Sequence, residues 1–427
     1  MPRSLKVESH KFFAVVGMLF SYLFWLLIYN RFETSNSISE SHITVASWIG
    51  IFLVVFFVLV WKNLTGKIFT PFNIFLAFFA VFNFGQCFLW AFGIHTDQEI
   101  GKKLVYHSIA ADNNLIFRAQ LLFLMCFITV NCGALLIWSR KQTVDIQPLR
   151  DNASVQADRR FRYLYVTALL LSIVVFPVTL LSTFQRFSLA RVYGYHSLYY
   201  GVASGFLNNT IVNILGTLFF PCMLGLLIGS QYNKRVRFVV YSVFIVYAVL
   251  MLLCGDRGEW INLLAFLAWA EYSYYKKYKN KTVIAVAIIG FFSLSVMNAI
   301  VSLRNVGLSW DTFVSELTAA ENNVVVDLLT EFGKSMGICI ILLKTKVQYP
   351  YGNSFFLSVP TMFSTGLYNG IFDAEVVQLN TWFPDYLGLN YGTDFSIIGE
   401  AVLNYGAYVA PVVLLVEGII IGKIFSR

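Results

Sequence analysis

A chain of 427 residues that is 58% apolar and only 13% charged carries too little polar surface for a water-soluble enzyme. A net charge of +8 would suggest a nucleic-acid partner on a soluble face, but the basic residues fall between apolar runs and no RNA- or DNA-binding motif is present. The composition predicts an all-α polytopic protein, a bundle of helices with the bilayer as its solvent.

Taken in chain order, the apolar runs predict about ten spans, twelve at most: Lys11–Asn30, Thr44–Trp61, Phe69–Gly93, Ile116–Trp138, Tyr163–Ser182, Phe206–Ser230, Phe238–Cys254, Ile261–Tyr275, Thr282–Ser302 and Ala401–Ile421. The first lacks an A-x-A cleavage site and is soon followed by another, so it is expected to be a retained helix. Residues 1–427 are expected to form one membrane domain, with Pro71, Pro177, Pro221 and Pro411 kinking or ending spans. The six cysteines form no C-x-x-C pair, and neither a zinc site nor a disulfide framework is expected.

Basic residues set the orientation. Alternate connections hold Arg3, Lys6 and Lys11; Lys62 and Lys67; Arg140, Lys141, Arg150, Arg159, Arg160 and Arg162; Lys234, Arg235 and Arg237; Lys276, Lys277, Lys279 and Lys281; and Lys423 and Arg427, which is 20 of the 31 basic residues. By the positive-inside rule that side is cytoplasmic and holds both termini. The polar, basic segment Arg140–Arg162 reads as a linker on anionic headgroups. The opposite side carries the longer connections Arg31–His42, Ile94–Asn114 and Thr183–Gly205, and one segment of nearly a hundred residues, Leu303–Glu400. So long a loop is expected to contain short helices packed on the outer face, with a piece that dips into the membrane.

The connection at 183–205 runs Gln185-Arg186-Phe187-Ser188-Leu189-Ala190-Arg191-Val192-Tyr193-Gly194-Tyr195-His196. Two guanidinium forks away from the basic side invite a phosphate, and the tyrosines a sugar. The plainer reading is an aromatic belt with arginines on lipid headgroups, and a surface role for His196.

Gly255-Asp256-Arg257-Gly258-Glu259-Trp260 is wedged between apolar runs of 17 and 15 residues. Both runs fall short of the roughly 20 residues a crossing needs, so the helices must borrow from the hexapeptide and hold its charges at the bilayer rim. Otherwise the glycines simply make a tight hairpin whose charges snorkel to water. Arg304, just beyond the ninth span, adds a fourth cationic fork to Arg186, Arg191 and Arg257. Asp311–Lys334 shows helical amphipathic spacing, with Glu316, Glu321, Asp327 and Glu331 on a solvated face. Nearer the end, Asp394 and Glu400 flank the start of the last span. Glu400 reads either as an acid favoured by the helix dipole or as a catalytic carboxylate, and Thr393 or Ser396 is expected to cap that helix.

No nucleotide-binding loop, dinucleotide fingerprint, D-x-D pair or H-E-x-x-H is present, so no cofactor and no metal is expected. Gly255-Asp256-Arg257-Gly258-Glu259 resembles the G-x-R-G-E element of O-antigen and capsule polysaccharide polymerases of the Wzy type. Pro350-Tyr351-Gly352-Asn353-Ser354-Phe355 and Asp394-Phe395-Ser396-Ile397-Ile398-Gly399-Glu400, continuing to Asn404-Tyr405-Gly406, resemble that family's later blocks. The resemblance runs from about Leu253 to the C-terminus.

It implies a GT-C-like glycosyltransferase of the bacterial cytoplasmic membrane that works on the periplasmic or exterior face. Such an enzyme joins oligosaccharide units carried on undecaprenyl pyrophosphate, one lipid-linked chain as donor and another as acceptor. Flippase and chain-length regulator proteins are the implied protein partners. For that chemistry, Arg257 and then Arg304 are expected on physical grounds to stabilise the developing diphosphate charge, with Arg191 and Arg186 closing over the substrate. Glu400 or Asp394 takes the acceptor proton, with His196 behind them, and Glu259 orients Arg257. Tyr193, Tyr195 and Trp260 stack on sugars. Attack opposite a good leaving group implies inversion without metal. The alternatives are an O-antigen ligase and, from another class, a flippase or transporter. A transporter should show repeated, interrupted spans with midplane charges, which this chain does not.

Overall fold

A computed structural model describes residues 3–33, 38–106, 108–138, 159–193, 210–254, 259–275, 324–361, 379–389, 393 and 395–425. Among them the regular structure is helical, with no strand. The helices are α1 (Arg3–Glu33), α2 (Glu40–Thr65), α3 (Pro71–Ala91), α4 (Asn113–Ile137), α5 (Arg159–Tyr193), α6 (Thr210–Thr217), α7 (Phe219–Gly229), α8 (Lys234–Cys254), α9 (Glu259–Ala270), α10 (Val324–Gly333), α11 (Met336–Thr345), α12 (Ser354–Thr361), α13 (Leu379–Leu387) and α14 (Ile397–Phe425). Eight stretches among these residues are long and apolar enough to cross a membrane, so the protein is an all-α polytopic membrane protein. Of the ten expected spans, Thr282–Ser302 lies outside the described residues, and Ile261–Tyr275 is α9 followed by a π-helical turn, Glu271–Tyr275.

Local chemistry sets the ends. Thr70 caps α3 by accepting the Asn73 N–H at 3.2 Å, with Pro71 at the first helical position, where a missing N–H costs nothing. Asp112 caps α4 by accepting the Leu115 N–H at 2.8 Å. The expected span Phe206–Ser230 is interrupted: α6 ends at Thr217, four residues before Pro221, which has no N–H to offer the Thr217 carbonyl. Leu218 instead closes a tighter turn by donating to the Leu215 carbonyl at 3.1 Å.

The chain forms two compact units. The first comprises Met1–Val144, Val325–Val359 and Glu375–Arg427. At its heart α4 lies against α14. A Cβ at Gly418 would stand 2.1 Å from the Val130 carbonyl oxygen, and one at Gly422 would stand 2.7 Å from the Ala134 Cα, so the G-x-x-x-G pair lets the two backbones touch. Trp61 donates its indole N–H to Asn131 at 2.9 Å, and Gln120 donates to Ser47 at 2.9 Å, tying α2 to α4. Within the Leu303–Glu400 segment, for which short helices on the outer face and a piece dipping into the membrane are expected, α11 is buried on every side from Met336 to Leu343, as suits a helix apolar all round. Above it the Ile94–Asn114 connection is pinned by Glu99, which accepts from the Trp90 indole at 2.8 Å and from the Thr96 N–H at 3.3 Å.

The second unit comprises Asp145–Val324 and Pro360–Ala374. Its longest element, α5, has 35 residues and runs eleven positions beyond the expected end at Ser182. The run Thr183–Tyr193 has no proline or glycine to stop it, and Thr183 and Ser188 return their hydroxyls to carbonyls four residues back. At the other end of α8, Arg237 approaches Glu271 to 3.7 Å and stacks over the Tyr275 ring at 4.6 Å, holding the π turn in place. All six cysteines are buried thiols outside any disulfide.

Candidate functional site

Two sequence blocks that lie far apart in the chain meet at the start of α14. Gly352, at φ +98°, turns the chain into α12, and Asn353 caps that helix by accepting the Phe355 N–H at 3.1 Å. Ser396 caps α14 by accepting the Gly399 N–H at 3.1 Å. The cap role is therefore taken by Ser396, and the Glu400 carboxylate four residues further along engages α12. Ser354 Oγ donates to Glu400 Oε1 at 2.6 Å, and the Ser354 N–H donates to Asn404 Oδ1 at 2.9 Å. Asn404 Nδ2 then donates both to Ser354 Oγ, at 2.7 Å, and to the Glu400 carbonyl, at 2.8 Å. Glu400 and Asn404 can share this duty because residues four apart lie on one helix face. Asn353 Nδ2 donates to Tyr405 Oη at 2.6 Å, and the Phe355 and Tyr405 rings stack at 6.3 Å.

Ser354 is 4% exposed, and Glu400 is half-buried. A hydrogen bond to a charged group in such a place contributes about 1.5–3 kcal/mol, more than a neutral one. Among the described residues nothing donates to Glu400 Oε2. Beside the turn, Tyr349, Tyr351, Trp382 and Tyr386 form an aromatic wall, Trp382 lying 4.9 Å from Tyr349 and 5.8 Å from Tyr386 between centroids. Tyr386 is 50% exposed and offers a face for a sugar ring.

Shortly after this polar start, α14 breaks. Gly406 has φ 77° and ψ 167°, outside the helical region and open in practice only to glycine. Just beyond the break, Tyr408 Oη donates to Glu33 Oε2 at 2.6 Å. Glu33 also holds Arg118, whose Nη2 donates to Glu33 Oε1 and to Tyr29 Oη, each at 3.2 Å. Arg118 is only 8% exposed.

The sequence-derived candidates divide. Glu400 belongs to the first unit, and Arg186 and Arg191 to the second, both on α5. Five residues on a helix turn through roughly 140°, so Arg186 and Arg191 start from different faces of α5. Arg257, Arg304, Asp394, Tyr195 and His196 lie outside the described residues. Tyr193 ends α5, while Glu259 and Trp260 open α9, as borrowing from the hexapeptide requires; the side chains of all three lie outside the described residues.

Ser354, Asn404, Glu33 and Arg118 were not singled out from sequence. Ser354 and Asn404 stood inside quoted blocks, but only contact gives them a role. Arg118 carried a usable signal, since an arginine within an apolar spanning run is a functional candidate by default.

A family model described as O-antigen polysaccharide polymerase Wzy matches residues 10–426. No curated protein and no solved structure matches the chain.

Proposed function

Since the chain belongs to the O-antigen polysaccharide polymerase Wzy family over almost its whole length, we propose that it joins undecaprenyl-pyrophosphate-linked oligosaccharide units, with Glu400 as the general base. The observation that carries this reading is the Ser354–Glu400–Asn404 network, which aims and holds one carboxylate while its second oxygen meets no donor among the described residues.

The chemistry follows from that placement. The acceptor hydroxyl gives its proton to Glu400 Oε2 as its oxygen attacks the anomeric carbon of the donor sugar. The bond from that carbon to the diphosphate oxygen breaks, and its electron pair leaves with undecaprenyl diphosphate. Attack opposite the leaving group inverts the anomeric centre. Negative charge builds on the leaving diphosphate, and preorganised guanidinium groups stabilise it. Arg257 and Arg304 are assigned that work, with Arg191 closing on the lipid diphosphate and Arg186 holding the headgroup region. Glu259 orients Arg257, Asp394 and His196 contact the acceptor, and Tyr193, Tyr195, Trp260 and Tyr386 carry sugar rings. No metal enters this scheme. The alternation of basic connections supports a reading with both termini in the cytoplasm and the reaction on the opposite face of the cytoplasmic membrane. Flippase and chain-length regulator proteins would then work beside it.

The test uses purified protein with lipid-linked units and follows chain length on a gel. A ladder that disappears with Glu400→Gln and with Arg257→Ala, while protein level holds, supports polymerisation with these residues. One transfer product without a ladder points to ligation instead.

A further inference from the structure

α1 lies largely against lipid, with Phe12, Phe13, Phe20, Leu23 and Leu27 all exposed. One face of it is different. Tyr22, Trp25, Tyr29 and Glu33 are spaced by three, four and four residues and so line a single stripe. All four touch Tyr408. The Tyr22 hydroxyl donates to the Tyr408 carbonyl at 2.6 Å, and the Tyr408 hydroxyl donates to Glu33 at 2.6 Å. The Tyr408 ring stands edge-on to Tyr29 at 5.5 Å and to Trp25 at 6.3 Å. Arg118, from α4, fixes two members of the stripe by bonding Tyr29 and Glu33, and its guanidinium lies 5.0 Å over the Tyr29 ring.

Tyr408 is two residues past the Gly406 break, and Glu400 is six residues before it. A break at glycine leaves the angle between the two helical parts free unless something outside the helix sets it. The part before the break is held by α12 through Ser354 and Asn353. Further along, the part after it packs on α4 at Gly418 and Gly422, while its first turn is gripped by α1 at two points of Tyr408, the backbone carbonyl and the side-chain hydroxyl.

We infer that this face of α1 is a latch that sets the bend of α14 and thereby positions Glu400, so that Tyr408 and Glu33 are positioning residues for the transfer. The inference rests on the proposed role of Glu400, but the bend itself can be measured without turnover. Removing the latch loosens the angle and misplaces the base relative to the acceptor hydroxyl, which lowers kcat and leaves substrate binding in place.

Two measurements test it on the full-length protein in lipid. With undecaprenyl-pyrophosphate-linked units as substrate, Tyr408→Phe should lower kcat about tenfold with KM held within about twofold. Glu33→Ala should do the same, Glu33→Gln should recover most of the loss because its amide oxygen still accepts from Arg118 while its NH2 can donate to the Tyr408 hydroxyl, and the double variant Tyr408→Phe/Glu33→Ala should be no slower than the worse single one. Losses that multiply, or a rise in KM at constant kcat, overturn the latch.

The second measurement places spin labels at Phe356→Cys on α12 and Val416→Cys on α14, positions that are 74% and 50% exposed. Tyr408→Phe should broaden their distance distribution, and an unchanged distribution overturns the inference whatever the activity shows. Broadening in a protein whose Glu400→Gln variant still makes a ladder would sustain the latch and sink the assignment of Glu400.

Discussion

Ser354 and Glu400 are 46 residues apart in the chain and 2.6 Å apart in space, and the difference between their expected variants separates chemistry from orientation. Glu400→Gln keeps the shape and the acceptor for Ser354 but cannot take a proton, so turnover should fall by about 10²–10⁴ with the fold intact, read from ladder formation and a melting curve. Ser354→Ala removes the hydroxyl that holds the carboxylate but not the carboxylate, and a smaller loss of about tenfold in kcat is expected, corresponding to roughly 1.4 kcal/mol. Equal losses in the two variants would contradict a base that is merely oriented by the serine. At Arg257 the expected contrast is geometric: lysine supplies a point charge without the fork, so Arg257→Lys should fail to form a ladder, and retained activity would count against a bidentate grip on diphosphate.

α14 is made of small residues where it must come close and of one glycine where it must bend. Gly418→Val would drive side-chain atoms into the Val130 carbonyl, and since backbone cannot move aside easily, a loss of about 1–3 kcal/mol is expected, read as a lower melting temperature in detergent. Gly406→Ala has open space around the added Cβ, so its cost comes from the backbone angles alone, again about 1–3 kcal/mol, and should appear as impaired turnover more than as unfolding. The sequence pattern showed Pro411 as the natural cause of a kink here, whereas the non-helical angles lie at Gly406, five residues earlier. The extension of α5 to Tyr193 is the other change at this scale. An expected loop carrying two clustered arginines is a helix that starts them from different faces.

For the whole molecule, the alternation of basic connections predicts which residues face the outside. In spheroplasts, a membrane-impermeant maleimide should label Lys103→Cys directly and Lys62→Cys only after permeabilisation, both positions being exposed while the native cysteines are buried. The reverse pattern would move the reaction to the cytoplasmic face and with it remove the case for a lipid-linked acceptor outside. The family assignment belongs to this scale too, because the match spans residues 10–426 and agrees with the short blocks at 255–259, 350–355 and 394–406.

Hydropathy alone determined that this chain is a helical membrane protein, because a crossing helix must satisfy its own backbone in lipid and so announces itself as a long apolar run. Short blocks of residue types were enough to point to the polymerase family, and they mark Glu400 as a candidate carboxylate. Only the tertiary structure decided that Ser354 and Asn404 hold that carboxylate, that a buried Arg118 pairs with Glu33, and that α11 is core. Hydropathy reports what a residue does to water, and these outcomes depend on which residue each one meets across the chain, something local composition does not encode.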